Sequence, residues 1–446
     1  VSRFENEFAR KVRIMSRKLL VGVLLAGMSL VWLSSGCGGE SPAPVPDASK
    51  LLVIGIDSAD WALWRPLLDQ GRLPHLRAFM ATALSGRMKT FYPLEKSPLL
   101  WASICTGVRP EVHGVHNFVK GRDQRPVTGS AWFAPAIWDI IGAAGKSTAV
   151  VGMWTTYPAR PITGVMVSDY LPYGHDRERP MANLASPDSL SVSVAALIVD
   201  PASLGPDDLA RFFDGADMVA LERDYPEQIA ELRAIYAADL GYLAVSRMLA
   251  KERDDDLFFF YLRGTDMVSH YFYEYLKPRS GRHGTDPQKV AVFGHVVQNY
   301  YDWADEAVGE VLGWFPPSRQ VVIVSDHGFY GPRRAGGKGT AEHSEWGVFL
   351  VRSPWYVAGA KFGHLDLLDV APTLLALLGL PPARDMPGEI LAQGLTPTGR
   401  RRVAAMEKQR VPSYQGLRPA NGPQGERDPV VDEEIRRQLR SLGYIN

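Results

Sequence analysis

Three strongly apolar runs in this chain each lead straight into an aspartate: LLVIGID ends at Asp57, LFFFYLRGTD ends at Asp266 and VVIVSDH carries Asp326. Continuous runs of Ile, Val, Leu and Phe read as strands buried on both faces, the kind that build parallel sheets. In an open α/β sheet, ligands gather outside the carboxyl ends of such strands, where side chains from distant segments converge. His270, His327 and His343 lie close behind the second and third aspartates. Carboxylate oxygens and neutral imidazoles are the donors that divalent cations take. The pattern therefore predicts a two-metal site of the hydrolytic kind at one sheet edge.

The rest of the chain supports that fold. Strand-like runs alternate with helical ones: LLVIGI, a helix over 73–84, a helix from Ser97, STAVVGM near Ala149, LFFFYL, an amphipathic stretch over 289–314, then QVVIVS. This βα alternation predicts a three-layer α/β/α arrangement with a mostly parallel central sheet. With 446 residues, 46% of them hydrophobic and 22% charged, the chain can bury a large core. Lys and Arg number 49, as do Asp and Glu, so no bulk field draws it to nucleic acid or an anionic membrane. An anionic substrate must be attracted locally.

Residues 171–254 are charged, interrupted by proline and mostly helical, which predicts an insertion capping the core or elaborating its surface. After Gly363, HLDLLDVAPTLLALLGLPP predicts a core helix with Pro372 in its first turn and Gly379 at its end. The catalytic domain is expected to span 51–395. The tail over 396–446 reads as a peripheral arm ending in a short helix.

The first 37 residues read as an upstream extension before Met15, followed by a targeting sequence of conventional length. Arg17 and Lys18 precede an apolar run from Leu19 to Leu33, then Ser34, Ser35, Gly36 and Cys37. The run is short for a membrane span, which takes about 20 apolar residues. It resembles a bacterial lipoprotein signal ending at Cys37, although leucine stands four residues before the cysteine rather than three. An uncleaved anchor or a plain secretory signal are the alternatives. Residues 38–50, GGESPAPVPDASK, form a tether. The expectation is an exported protein of the cell envelope, lipid-anchored through Cys37. Cys105, inside an apolar helical run, is expected to be a buried, inert thiol.

Ser97 is the candidate nucleophile. In KSPLLWASICTG it precedes proline and an apolar run, which predicts Ser97 as a helix N-cap and Pro98 as the first helical residue. A hydroxyl there sits at the positive end of the helix dipole, where an alkoxide or a phosphoryl group is favoured. Asp266 and His270 have D-x-x-x-H spacing, one helical turn on one face. Asp326 and His327 are adjacent where a buried strand turns into a loop, and His343 lies in the glycine-rich stretch KGTAEHSEWGVF. His75, His113, His116, His175, His283, His295 and His364 read as structural or surface residues.

In order along the chain, Asp57, the W-A-S-x-x-T-G that follows Ser97, P-x-x-H-G at Pro110–Gly114, then D-x-x-x-H, D-H-G and a late histidine resemble the alkaline phosphatase superfamily. Within it they are similar to the type I phosphodiesterase and nucleotide pyrophosphatase branch. The resemblance extends from Leu51 to about Leu391. It implies one zinc held by Asp266, His270 and His343, and a second held by Asp57, Asp326 and His327 with Ser97 as the nucleophile. Family members commonly carry threonine where this chain has Ser97. A phosphoryl-binding asparagine is implied near Asn117, which stands one residue nearer His113 than in the family pattern. Hydrolysis of a phosphodiester or nucleotide pyrophosphate through a phosphoseryl intermediate is the implied activity.

Rival readings use the same residues: a phosphomonoesterase, a phosphoethanolamine transferase, a sulfatase, or a lipoprotein that keeps the fold for binding alone. A sulfatase needs Cys or Ser followed by x-Pro-x-Arg to make formylglycine. Here Pro98 comes one place early and no arginine follows.

Overall fold

The apolar runs pair with one another. Leu51–Ile56 (β1) lies between Leu257–Leu262 (β6) and Gln320–Val324 (β7) and runs parallel to both, with Leu51 opposite Leu257 on one side and Gln320 on the other. This is a computed structural model, and it describes residues 50–445 apart from 92–95, 176–180, 279–283, 333–340 and 418–427. The expected signal segment with Cys37, and the expected tether up to residue 49, lie outside the described residues.

Six further strands complete the sheet: Leu84–Lys89 (β2), Thr148–Val151 (β3), Gly164–Val167 (β4), Ala185–Ser186 (β5), Trp346–Arg352 (β8) and Lys361–Asp366 (β9). The order is β9-β2-β8-β7-β1-β6-β3-β4-β5. The block from β7 to β4 is parallel throughout, while β8 runs antiparallel to both of its neighbours and β5 is an antiparallel edge. The mostly parallel α/β sheet expected from the alternation is present. Because β7, β1, β6 and β3 are parallel neighbours, their carboxyl ends open onto one crevice.

Helices cover both faces. Alternate β1 residues divide between two cores, Leu52, Ile54 and Ile56 on one side and Leu51 and Val53 on the other. The first core is closed by Pro226–Glu252 (α2), Gly264–Leu276 (α3) and Val296–Gly313 (α4), and the second by Ser97–Thr106 (α1) and Val370–Leu377 (α5). Each fully buried Leu, Ile, Val or Phe contributes about 1.5–3 kcal/mol of transfer free energy. Gly55 is forced by packing: a Cβ there would come within 2.8 Å of the Trp101 ring and 3.0 Å of Tyr261.

Four elements differ from expectation. The stretch over 289–314 is two helices, broken at 294–295, and the helix expected over 73–84 stops at Met80 before β2 begins at Leu84. In the span 171–254, the long α2 packs against β3, β6 and α3 and so belongs to a core layer rather than to a separate cap. Its buried face carries Tyr242, Val245 and Leu249, while its exposed face carries the charges that gave the segment its surface-like texture. Lastly, the C-terminal helix Pro429–Ser441 (α6) forms, but it does not remain peripheral. Val431, Ile435, Leu439, Leu442 and Ile445 are buried in the first core at helical spacing.

Candidate active site

Asp57 directly follows β1, and its backbone N–H continues the ladder by donating to the Leu262 carbonyl at 2.9 Å. Ser58 then turns the chain with φ of 60°, a left-handed conformation uncommon outside glycine. The next segment of β6 winds into α3, so Asp266 and His270 sit a turn apart, with His270 Nε2 3.4 Å from Asp266 Oδ1. Asp326 and His327 follow β7. His343 is delivered by a short antiparallel ribbon, Gly328–Pro332 with Ala341–Ser344, in which it pairs with Phe329. That ribbon replaces the loop expected from the glycine-rich sequence, whose residues 333–340 lie outside the described residues.

The structure brings seven predicted site residues together. Asp266, His270 and His343 present donor atoms within 4.8 Å of one another, and so do Asp57, Asp266 and His327. Asp326 joins the second group through Oδ2, 3.5 Å from His327 Nε2. Asp266 thus faces both groups, where the family resemblance implied only one. Ser97 Oγ lies 3.2 Å from His327 Nε2 and 3.4 Å from Asp57 Oδ1. The N-cap of α1 is Lys96, whose carbonyl takes the first-turn bonds from Leu99 and Leu100, so Ser97 is one residue further into the helix than predicted. Its hydroxyl is therefore not used in capping and faces the carboxylate cluster. Asn117 is half-buried, and its side-chain oxygen accepts from the Phe118 N–H at 2.8 Å; it is not drawn into this cluster.

Burial sets the electrostatics. Asp57 and Asp326 are fully buried and Asp266 is nearly so. Burial and then the Asp266 charge push Asp57 up to about 6, and burial with the Asp57 charge holds Asp326 well above the ordinary carboxylate range. Burial also opposes ionisation of Asp266, but His270 and His343 outweigh it and hold that carboxyl well below its usual value. Like charges this close do not ionise together unless a cation sits between them. One oxygen of Asp326 is buried with no hydrogen-bond partner among the described residues. This set of carboxylate oxygens and imidazole nitrogens fits zinc, which takes both donor types.

His327 is held neutral: burial, then His343, lowers it to about 4. Its Nδ1 lies 3.2 Å from the Gly328 carbonyl, so the proton sits there and Nε2 is left bare toward Ser97.

Several neighbours were not identified from sequence. Ser58 Oγ donates to Asp266 Oδ1 at 2.5 Å, Tyr261 donates to Asp57 Oδ2, and Trp154 Nε1 donates to the Tyr261 oxygen at 2.7 Å. A tyrosine within an otherwise apolar parallel strand was the available signal for Tyr261. Tyr444 is less expected: its hydroxyl lies 2.5 Å from His270 Nε2, 3.2 Å from Asp266 Oδ2 and 3.4 Å from His343 Nε2. Away from the site, His113 accepts from the Val115 N–H at Nδ1 and meets Ser103 Oγ at 2.8 Å, holding the loop after α1. Cys105 is buried, and burial pushes its thiol up, away from reactivity.

Among solved structures, phosphonoacetate hydrolase from Sinorhizobium meliloti 1021 is 16% identical, with a TM-score of 0.41, over 66% of this chain and 60% of that one. The chain thus spans less than two thirds of that protein's length. Human ectonucleotide pyrophosphatase / phosphodiesterase 5 is 12% identical with a TM-score of 0.45, over 78% of this chain and 100% of that one. A putative sulfatase from Bacteroides thetaiotaomicron VPI-5482 is 13% identical with a TM-score of 0.48, over 80% and 75%. No curated protein matches the sequence. Residues 51–332 match the profile described as Type I phosphodiesterase / nucleotide pyrophosphatase, a span that contains every predicted metal ligand except His343. As that match covers more than half of the chain, the protein belongs to the type I phosphodiesterase / nucleotide pyrophosphatase family.

Proposed function

We propose that the protein is a metal-dependent hydrolase of phosphodiesters or nucleotide pyrophosphates, with Ser97 as nucleophile and two zinc ions as cofactors. The observation that carries the reading is the Ser97 hydroxyl, set between Asp57 and the bare Nε2 of His327 at the positive end of α1. Asp266, His270 and His343 would hold one ion. Asp57, Asp326 and His327 would hold the other, with Asp266 within reach of both.

When bound, the ions favour the Ser97 alkoxide and offset charge gathering on the oxygens around phosphorus. Ser97 Oγ attacks phosphorus in line, forming the Oγ–P bond as the ester P–O bond breaks and the alcohol departs. Water then attacks phosphorus from the side the alcohol left, releasing Ser97 with its proton restored. Tyr261 and Trp154 hold the Asp57 carboxylate, and Ser58 holds Asp266, so the acidic groups keep their orientation through both steps.

The test compares a nitrophenyl monoester, a nitrophenyl diester and a nitrophenyl sulfate on one preparation of the protein and of Ser97→Ala. Diester hydrolysis that disappears in the variant is the expected result. A strong monoester preference would move the reading to a phosphomonoesterase, and sulfate turnover to a sulfatase. We further propose an exported protein lipid-anchored at Cys37; failure of Cys37→Ser to release it from membranes would count against the anchor.

A further inference from the structure

The C-terminal segment is seated on the site. Helix α6 and the Leu442 that follows it lay Ile435, Leu439 and Leu442 against a wall that includes Phe118, Trp154 and Met267, and Tyr173 donates to Gln438 at 2.7 Å. Beyond the helix, the chain carries Tyr444 into the cluster. Its ring packs 4.3 Å from that of Phe118, and Lys96, the residue before the nucleophile, donates to its carbonyl at 3.0 Å.

The hydroxyl of Tyr444 lies between 2.5 and 3.4 Å from donor atoms of Asp266, His270 and His343. Two of those donors, the Nε2 atoms of His270 and His343, are themselves 2.9 Å apart. Were zinc held by Asp266, His270 and His343, its fourth ligand would stand about 3.3 Å from each of them, and the Tyr444 oxygen lies in that neighbourhood. A catalytic site keeps that fourth position open for water or substrate. With the segment docked, the cavity left beside Asp266 and Tyr444 is about 30 Å³. That holds a water or two and no phosphodiester. Ser97 itself is 1% exposed.

We propose that residues 428–445 are an occluding strap: Tyr444 takes the place of a substrate oxygen, and the strap must withdraw before a phosphate ester reaches Ser97. The inference rests on the hydrolase reading above. The strap is held by one apolar stripe and a few hydrogen bonds, including Tyr271 with Ser441 at 2.5 Å, so it can leave without disturbing the sheet.

The test uses the zinc-loaded full chain beside Leu439→Glu, which weakens the apolar stripe, and Tyr444→Phe, which keeps the ring and removes the oxygen. Hydrogen exchange over 429–441 is followed with and without orthovanadate, and nitrophenyl diester hydrolysis is measured in parallel. Orthovanadate should lower protection of α6, and both variants should raise kcat/KM at least tenfold. If orthovanadate raises that protection, or both variants lower a Ser97-dependent rate, the strap completes the site and the proposal is overturned while the hydrolase reading stands. If no form hydrolyses any phosphate ester, Leu439→Glu included, the hydrolase reading fails and takes the strap's role with it.

Discussion

The Ser97 hydroxyl lies 3.2 Å from Nε2 of His327, a residue 230 positions away in the chain. The pairing depends on sheet order. Helix α1 lies beneath β1 with Trp101 against Gly55, and β7, which delivers His327, is the immediate neighbour of β1. A residue that is neutral because it is buried therefore faces the one hydroxyl at the helix start.

Asp266 faces both ligand groups, whereas His343 belongs to one. Asp266→Ala should leave the purified protein with almost no zinc, while His343→Ala should retain about one equivalent. Metal analysis of the two variants checks this, and equal losses would argue that Asp266 serves a single ion.

Tyr261 bonds to Asp57 and receives a bond from Trp154. Tyr261→Phe should lower kcat/KM roughly tenfold with the fold intact, the size of effect seen when a group orienting a metal ligand is lost. Circular dichroism alongside steady-state kinetics separates this outcome from unfolding.

His113 is buried, and burial lowers it from the ordinary 6.5 to about 3. In the unfolded chain it takes up a proton near pH 6.5, which the folded protein refuses until about pH 3. Its contribution to stability is therefore complete above pH 6.5 and declines as pH falls toward 3, by up to about 1.4 kcal/mol per pH unit. Urea unfolding of the protein and of His113→Gln at pH 7 and pH 5 should show a smaller pH effect in the variant. An unchanged difference would mean that other groups carry the acid sensitivity.

Much of the site was legible because its strands are apolar throughout and end on charged residues. Asp57, Asp266 and Asp326 announce themselves as carboxylates after buried strands, and His270 by its helical spacing. His343 was not legible in this way, since a ribbon pairing with Phe329 places it and no local period marks that pairing. Tyr261 and Ser58 act through the geometry of neighbouring strands, which single-strand patterns do not carry. Tyr444 was missed for another reason. The alternating charges of Glu433, Glu434, Arg436, Arg437 and Arg440 masked the stripe formed by Val431, Ile435 and Leu439. Helix α2 was misread in the same way, its exposed charges concealing a core-facing side.

The most direct test of the account is to quench the zinc-loaded protein in acid during turnover of a phosphodiester and map phosphate by mass spectrometry. Phosphoserine is expected at Ser97 in the wild-type protein and none in Ser97→Ala, which should also lose turnover by about 1,000-fold or more while keeping its zinc. Full turnover by Ser97→Ala, or a wild-type protein that turns over substrate with phosphate on another residue, would contradict it.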